Sequence, residues 1–337
     1  LRTFPQYQKT PLGILRINLR KTLEDKKGVS EPKTEALDLG KREAKEDSQA
    51  NAPSTKQLKF DNEPKVLLSE LGGMTAQKKS ALVHVQINLI NRKLYGLVGC
   101  DRHPKNILIT GPSGSGKSTF AAAIFNEAKM NFLRMNLFDA RIYSYLTEGK
   151  MATFAKILKL NSPCGLIVED IDDFFGSQGN SKESDRKVIQ NFLNFLDNIV
   201  DDEIFIIGTS SKTEKLPGSF LRSGRFENQI SMRVPDESER HQMLLFILGT
   251  KRTEGIDYRD LVLSTAGFVI SDFRSLVSKA SEIAIQEYLQ LSNQQLSAEG
   301  EESLDQVYEV REEDLPDFLV LKGSHLNKAL KFVNPII

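Results

Sequence analysis

The chain predicts an α/β fold: a five-stranded parallel sheet sandwiched by helices, followed by a small all-helical domain. Three observations predict it. Between residues 106 and 234, apolar strand-like runs alternate with segments of helical spacing, the pattern of a parallel sheet covered on both faces. From Asp236 onward the apolar residues fall only at helical spacing. Finally, the turn GPSGSGKST joins the first strand of the alternating region to its first helix and fits G-x-x-x-x-G-K-[ST] from Gly111 to Ser118.

Residues 1–65 stand outside this plan. From Lys21 to Lys65 both charges are dense and apolar residues few. Such a segment buries too little surface to offset its ordering entropy, which predicts a disordered or linker N-terminal segment. The opening LRTFPQYQKTPLGILRINLR is basic and free of acids, as a transit peptide would be; a basic tail or the end of a further domain is the simpler reading. Order is expected from Val66, in VLLSELGGM.

A helix follows over 76–97, then strands at 106–110, 131–137, 165–170, 203–211 and 229–234. Helices are expected between them at 117–128, 153–160 and 185–199. This sets a sheet domain over 66–235. The helical domain covers 236–337, with a polar, acidic, loop-like insertion at 294–312 and a last helix at 324–333 that ends before Asn334-Pro335.

Composition excludes several functions. Lys plus Arg and Asp plus Glu both number 45, so no global field draws the chain to nucleic acid, which is expected as a partner only indirectly, or to an anionic membrane. Two distant cysteines, Cys100 and Cys164, argue for a reducing compartment, nucleus or cytoplasm, and against a disulfide framework. The four histidines are scattered, against a protein-built zinc site. No apolar run approaches the roughly 20 residues that span a bilayer.

In GPSGSGKST the glycines let successive backbone N–H groups point inward at phosphate oxygens. Lys117 supplies a point charge to the outer phosphates, the Ser118 hydroxyl reaches Mg²⁺, and the helix opening at Lys117 adds its positive dipole end. The strand LIVED runs into a block of carboxylates, Glu169, Asp170, Asp172 and Asp173. A P-loop needs such an acidic strand end to support its metal; the plainer alternative is an acid cluster at a helix N-terminus.

Together these motifs make the chain resemble the AAA ATPases, in particular members with two stacked rings of the valosin-containing-protein type. The resemblance covers residues 67–335 and rests on SELGGM, GPSGSGKST, LIVEDIDD, DRKVIQNFLNFLD, LPGSFLRSGRFENQI, VPDESER and AGFVISDFRSLVSKA. It implies a P-loop α/β domain with a helical lid, ATP and Mg²⁺ as cofactors, and a homo- or hetero-hexamer acting on a protein substrate with adaptors. Carried over by position, Gly111, Pro112, Ser113, Gly114, Ser115, Gly116, Lys117, Ser118 and Thr119 bind phosphates. Gly72 and Gly267 border the nucleotide, and Ser118 with Glu169 serves the metal. Arg222 and Arg225 fall on the family's two arginine fingers, which act on the γ-phosphate held by a neighbouring subunit.

Four departures accompany the resemblance. The family has Asp then Glu where this chain has Glu169 then Asp170, so each carboxylate differs by one methylene from the length its place expects. Ser211 replaces the sensor Asn and has shorter reach. Ile270, in Gly267-Phe268-Val269-Ile270-Ser271-Asp272, replaces a Gly near the base. Tyr145-Leu146-Thr147 stands where a substrate-gripping pore loop is found, and reads equally well as a buried Tyr-Leu pair. The expectation is an ATP-binding module with slow hydrolysis, the alternative a fully active motor remodelling proteins or ribonucleoprotein particles. The final SHLNKALKFVNPII resembles the end of a first ring domain, so a fragment of a two-ring protein is expected. The polar insertion loosely resembles the ribosome-biogenesis branch.

Overall fold

The computed structural model describes residues 66–100, 105–137, 139, 143, 145–146, 150–175, 183–199, 203–298 and 319–335. They lie in one compact unit, Gln57–Ile337. The linker expected over 1–65 falls outside the described residues.

The sheet part begins with α1 (Thr75–His84), which passes into a wider π turn over Val85–Ile90 before a short α2 (Leu94–Leu97). Sequence spacing predicts one helix over this stretch. The structure breaks it because Asn91 closes the wide turn, its backbone N–H and side-chain amide both donating to the Gln86 carbonyl at 3.1 and 2.7 Å. The buried Asn88 braces the same turn, accepting from the Tyr95 hydroxyl at 2.7 Å.

The alternating region then supplies β1 (Ile107–Thr110), α3 (Lys117–Glu127), β2 (Asn131–Asn136), α4 (Met151–Leu160), β3 (Cys164–Glu169), α5 (Glu183–Asn198), β4 (Ile204–Ser210) and β5 (Asn228–Ser231). The five strands form one sheet in the order β2-β3-β4-β1-β5, every pair parallel. All residues of β1 and β4 are buried, as continuous apolar strands require when helices cover both faces. Alternation divides the strands between two cores. Ile107, Ile109, Ile167, Phe205 and Ile207 face α3 and the helical part. Leu108, Leu166, Val168, Ile204 and Ile206 face α4 and α5, where Phe154, Phe192 and Phe195 pack. A Cβ on Gly165 would come within 2.6 Å of the Phe125 ring, so the glycine sets how closely α3 lies on β3.

The helical part comprises α6 (Glu237–Leu248), α7 (Tyr258–Ser264), α8 (Ile270–Ala298) and α9 (Gly323–Ala329), with a small parallel pair between β6 (Thr253–Glu254) and β7 (Leu321–Lys322). Asp236 starts α6 through a reciprocal capping box with Glu239, and Asp257 caps α7 by accepting from two backbone N–H groups. The insertion expected at 294–312 begins later than its polarity suggests: α8 continues to Ala298, and 299–318 lie outside the described residues. Among the described residues no helix is long and apolar enough to cross a membrane.

Candidate functional site

Because β3, β4 and β1 are neighbours in the sheet, their carboxyl ends open side by side, where open α/β sheets bind ligands. The GPSGSGKST turn leaves β1, Ser211 follows β4, and the carboxylate block leaves β3. Sequence-distant chemistry is thus brought to one edge by strand order.

The turn is built on glycine geometry. Gly114 has φ +75°, and a Cβ there would sit 2.1 Å from the Ser271 hydroxyl; one on Gly111 would sit 2.2 Å from the Met232 carbonyl. The turn ends in α3, whose N-cap, Gly116, provides no side-chain partner for the first N–H groups of the helix. Those N–H groups, with the dipole behind them, form an anion cradle. The buried Ser115 hydroxyl has no hydrogen-bond partner among the described residues. Ser113 is exposed, while Pro112, Ser118 and Thr119 are half-buried around the cradle.

Lys117 is only 7% exposed. Its ammonium donates to the carbonyls of Gly111 and Pro112 at 3.0 Å each and to the Ser211 hydroxyl at 2.8 Å. Burial lowers its pKa, and the charges of Asp170 and Asp172 oppose that shift.

The acidic residues separate into different environments. Glu169, half-buried at the end of β3, points toward Arg134 of β2, with Nη1 to Oε1 at 4.0 Å. Asp170 is exposed and left-handed, φ +47°, a conformation uncommon for a residue with a Cβ. Its N–H donates to the Thr209 hydroxyl at 3.0 Å. Desolvation, then the neighbouring Asp173, hold its carboxyl above the usual range, with Lys117 opposing. Asp172 is 3% exposed. It accepts from the backbone N–H of Ser211 at 2.9 Å and of Lys212 at 3.0 Å, so it fixes the loop that carries the hydroxyl touching Lys117. Sequence reading placed Asp172 only within an acidic block. Its position two residues beyond Asp170 was the available signal, but its partners lie some 40 residues away.

The helical part closes on the cradle. The Ser271 N–H donates to the Gly114 carbonyl at 3.2 Å, and the Ile270 Cγ2 would lie 3.3 Å from a Cβ on Gly116. Ile270, expected against a base, therefore packs on the phosphate turn. Gly72 is approached by Met243 and Phe246 of α6, each at 3.0 Å from a Cβ placed there, whereas Gly267, φ +83°, faces Pro335. The two arginines also part: Arg222 is exposed, while Arg225 makes a bidentate pair with Asp197 of α5. Leu146 is fully buried, and the half-buried Tyr145 packs on Phe154 with ring centroids 5.9 Å apart; Thr147 lies outside the described residues.

The cradle fits a polyphosphate, since it combines N–H donors at a helix start, a buried ammonium and an unpartnered hydroxyl. Ser118 and Glu169 are hard oxygen donors of the kind Mg²⁺ takes. Among the described residues no cluster of three or more His, Cys, Asp and Glu side chains could hold a metal.

Residues 107–234 match the family described as "ATPase family associated with various cellular activities (AAA)". Protein mac-1 of Caenorhabditis elegans is 27% identical over 255 residues, 66% of this chain and 31% of its own length. Ribosome biogenesis ATPase RIX7 of Saccharomyces cerevisiae is 25% identical over 273 residues, 78% of this chain and 32% of its own. A proteasome-activating nucleotidase of Methanococcus vannielii is 25% identical over 237 residues, 68% of this chain and 58% of its own. The chain thus spans about a third of the length of the first two and over half of the third. The parallel sheet, the glycine cradle and the acidic strand end all lie inside the stretch, residues 107–234, that is similar to the AAA family.

Proposed function

We propose that the chain is an ATP-binding AAA module of a hexameric protein-remodelling assembly, and that it hydrolyses ATP slowly. In this reading the N–H groups of Gly111 to Thr119 and the Lys117 ammonium bind the phosphates. Gly72 borders the nucleotide, with Gly267 beyond it in the helical lid that we take to begin at Asp236. Ser118 and Glu169 hold Mg²⁺, which supplies charge neutralisation at the phosphate oxygens. Asp170 orients the attacking water, Ser211 contacts the outer phosphate, and the arginine turn serves a neighbouring subunit.

The observation that carries slow hydrolysis is the order Glu169-Asp170 with Asp170 held in a left-handed backbone. The shorter carboxylate stands where the water must be oriented, and a misplacement of about 1 Å can cost on the order of 100-fold in rate. Binding depends on the cradle and Lys117 and is affected less. Likeness to a ribosome biogenesis ATPase and to a proteasome-activating nucleotidase supports a macromolecular substrate; we place the chain in the nucleus or cytoplasm, as the first ring domain of a longer chain.

The test combines mass measurement with and without Mg-ATP and turnover of the assembled protein. We predict nucleotide-dependent assembly, and faster hydrolysis by the Glu169→Asp/Asp170→Glu double variant than by the unmodified chain. Equal, brisk turnover in both supports the fully active motor instead. Absence of any adenine-nucleotide affinity with magnesium present refutes both.

A further inference from the structure

We infer that Arg134 of β2 is a fixed counter-cation to Glu169, so that this carboxylate serves a divalent metal only in competition with a guanidinium, and the site holds a polyphosphate with little help from metal. The inference rests on the nucleotide reading above and concerns the regulation of that same site. Arg134 is a positioning residue that acts through Glu169.

The strand register places the pair. β2 and β3 run parallel, with Arg134 opposite Ile167 and Asn136 opposite Glu169. Side chains alternate across a strand, so residues 132, 134 and 136 of β2 share one face of the sheet with residues 165, 167 and 169 of β3. Arg134 and Glu169 are therefore diagonal neighbours, a separation that long side chains bridge. That face is the one α3 covers. Phe132 stacks on Phe125 of α3 with ring centroids 5.6 Å apart, and Gly165 lies under the same ring. Since α3 opens at Lys117 and Ser118, the cation and the carboxylate stand on the side of the sheet where the phosphate cradle ends.

Arg134 is the one charged residue of β2, in the run NFLRMN, and a charge on a helix-covered face is costly unless it is paired. Its guanidinium is held from two sides. The Cζ atom lies 5.7 Å from the centroid of the Phe132 ring, and Nη1 lies 4.0 Å from Glu169 Oε1, with both side chains of the pair 28% exposed. Lys117 is committed elsewhere. Its ammonium donates to the Gly111 and Pro112 carbonyls and to the Ser211 hydroxyl, and the carboxylates whose charge it feels are Asp170 and Asp172. The acids at the strand end are thus divided between two cations, and Glu169 falls to Arg134.

The consequence is electrostatic. A guanidinium keeps its proton at any pH at which the chain is folded, so this cation can be displaced but not titrated away. Mg²⁺ in nucleotide sites leans on one or two carboxylates together with phosphate oxygens. Here one such carboxylate is partly neutralised, and a positive charge stands beside it. Phosphate binding through the cradle N–H groups and Lys117 does not pass through Glu169 and is left intact.

The test titrates ATP into the full chain in Mg²⁺ and in EDTA and reads the ratio of the two dissociation constants, EDTA over Mg²⁺. Arg134→Met keeps an unbranched stem on Phe132 and removes the charge. It should raise the ratio roughly three- to tenfold, the worth of a partly exposed ion pair, with affinity in EDTA unchanged. Arg134→Gln should do the same and supplies a second neutral variant if the first folds poorly. Arg134→Lys should stay near the unmodified ratio. In a Glu169→Gln background, Arg134→Met should leave the ratio where it was, because the carboxylate it acts through is gone.

A lowered melting temperature with an unchanged ratio in both neutral variants overturns the proposal, since a purely structural ion pair gives that result. Lost affinity in EDTA overturns it as well, because the guanidinium would then serve phosphate directly. If the unmodified chain binds ATP in neither condition, the nucleotide reading fails along with it. ATP binding with a ratio indifferent to residue 134 sinks the counter-cation alone.

Discussion

Asp172 is the side chain whose removal should cost most for its size. Its carboxylate, 3% exposed, accepts two backbone N–H groups at 2.9 and 3.0 Å from the loop after β4. In Asp172→Asn one oxygen remains to accept, and the new amide turns donors toward the other N–H. One charge-assisted bond is lost, for about 1–2 kcal/mol, since water can reach the exposed Lys212. Asp172→Ala removes both bonds and leaves the Ser211 N–H without a partner, for about 2–4 kcal/mol. Urea unfolding of the ligand-free chain should therefore rank wild type above Asn above Ala, by midpoint at constant slope. An Ala variant within about 0.5 kcal/mol of wild type would refute the view that this carboxylate is a brace.

Other perturbations test neighbouring features. Asp170 has its carboxyl held high by desolvation and by Asp173. A raised folded-state pKa stabilises below the unfolded-state value, and that contribution is lost as pH rises through the folded-state pKa. Asp170→Asn should therefore gain in melting temperature over wild type as pH rises from acid toward neutral; Asn also tolerates the left-handed φ of +47°. A gap that shrinks with rising pH contradicts the assignment. Gly114→Ala should destabilise the chain, through strain of roughly 1–2 kcal/mol for a left-handed Cβ plus the overlap with Ser271. Adding Ser271→Ala should recover the overlap portion only, and equal melting of single and double variants would show that Ser271 does not press on the turn. Ser211→Ala should bind ATP as tightly as wild type or tighter, by up to about tenfold, as read by titration without turnover.

Much of the fold was legible because parallel strands buried on both faces must be apolar throughout, so ILIT and FIIGTS could hardly be anything else. The cradle was legible for a similar reason: glycine at 111, 114 and 116 is demanded by backbone geometry, and geometry leaves a local trace. What escaped was non-local. Nothing near Asp197 in the chain says that it meets Arg225 across 28 residues, and nothing near Asp172 says that it holds residues 211 and 212. The broken helix before β1 escaped for another reason: apolar spacing runs through it, while Asn88 and Asn91 use their side chains to redirect the backbone. The last turns of α8, up to Ala298, are polar, and polarity alone does not separate an exposed helix end from a loop.

The prediction for Ser211 follows from counting what Lys117 already holds. An ammonium has three donors, and in this structure three oxygens accept them at 2.8 to 3.0 Å. A phosphate cannot be added without displacing one. The two carbonyls belong to the cradle itself, whereas the hydroxyl of Ser211 hangs on a loop held by Asp172 and is the partner that can be surrendered without reshaping the cradle. Ser211 therefore competes with ligand for Lys117 before binding, whatever it does afterwards. Deleting the hydroxyl removes the competitor and leaves the cradle standing, so affinity holds or rises even if turnover falls. A Ser211→Ala variant that loses affinity as Lys117→Ala does would mean that the hydroxyl places the ammonium for the ligand instead of withholding it.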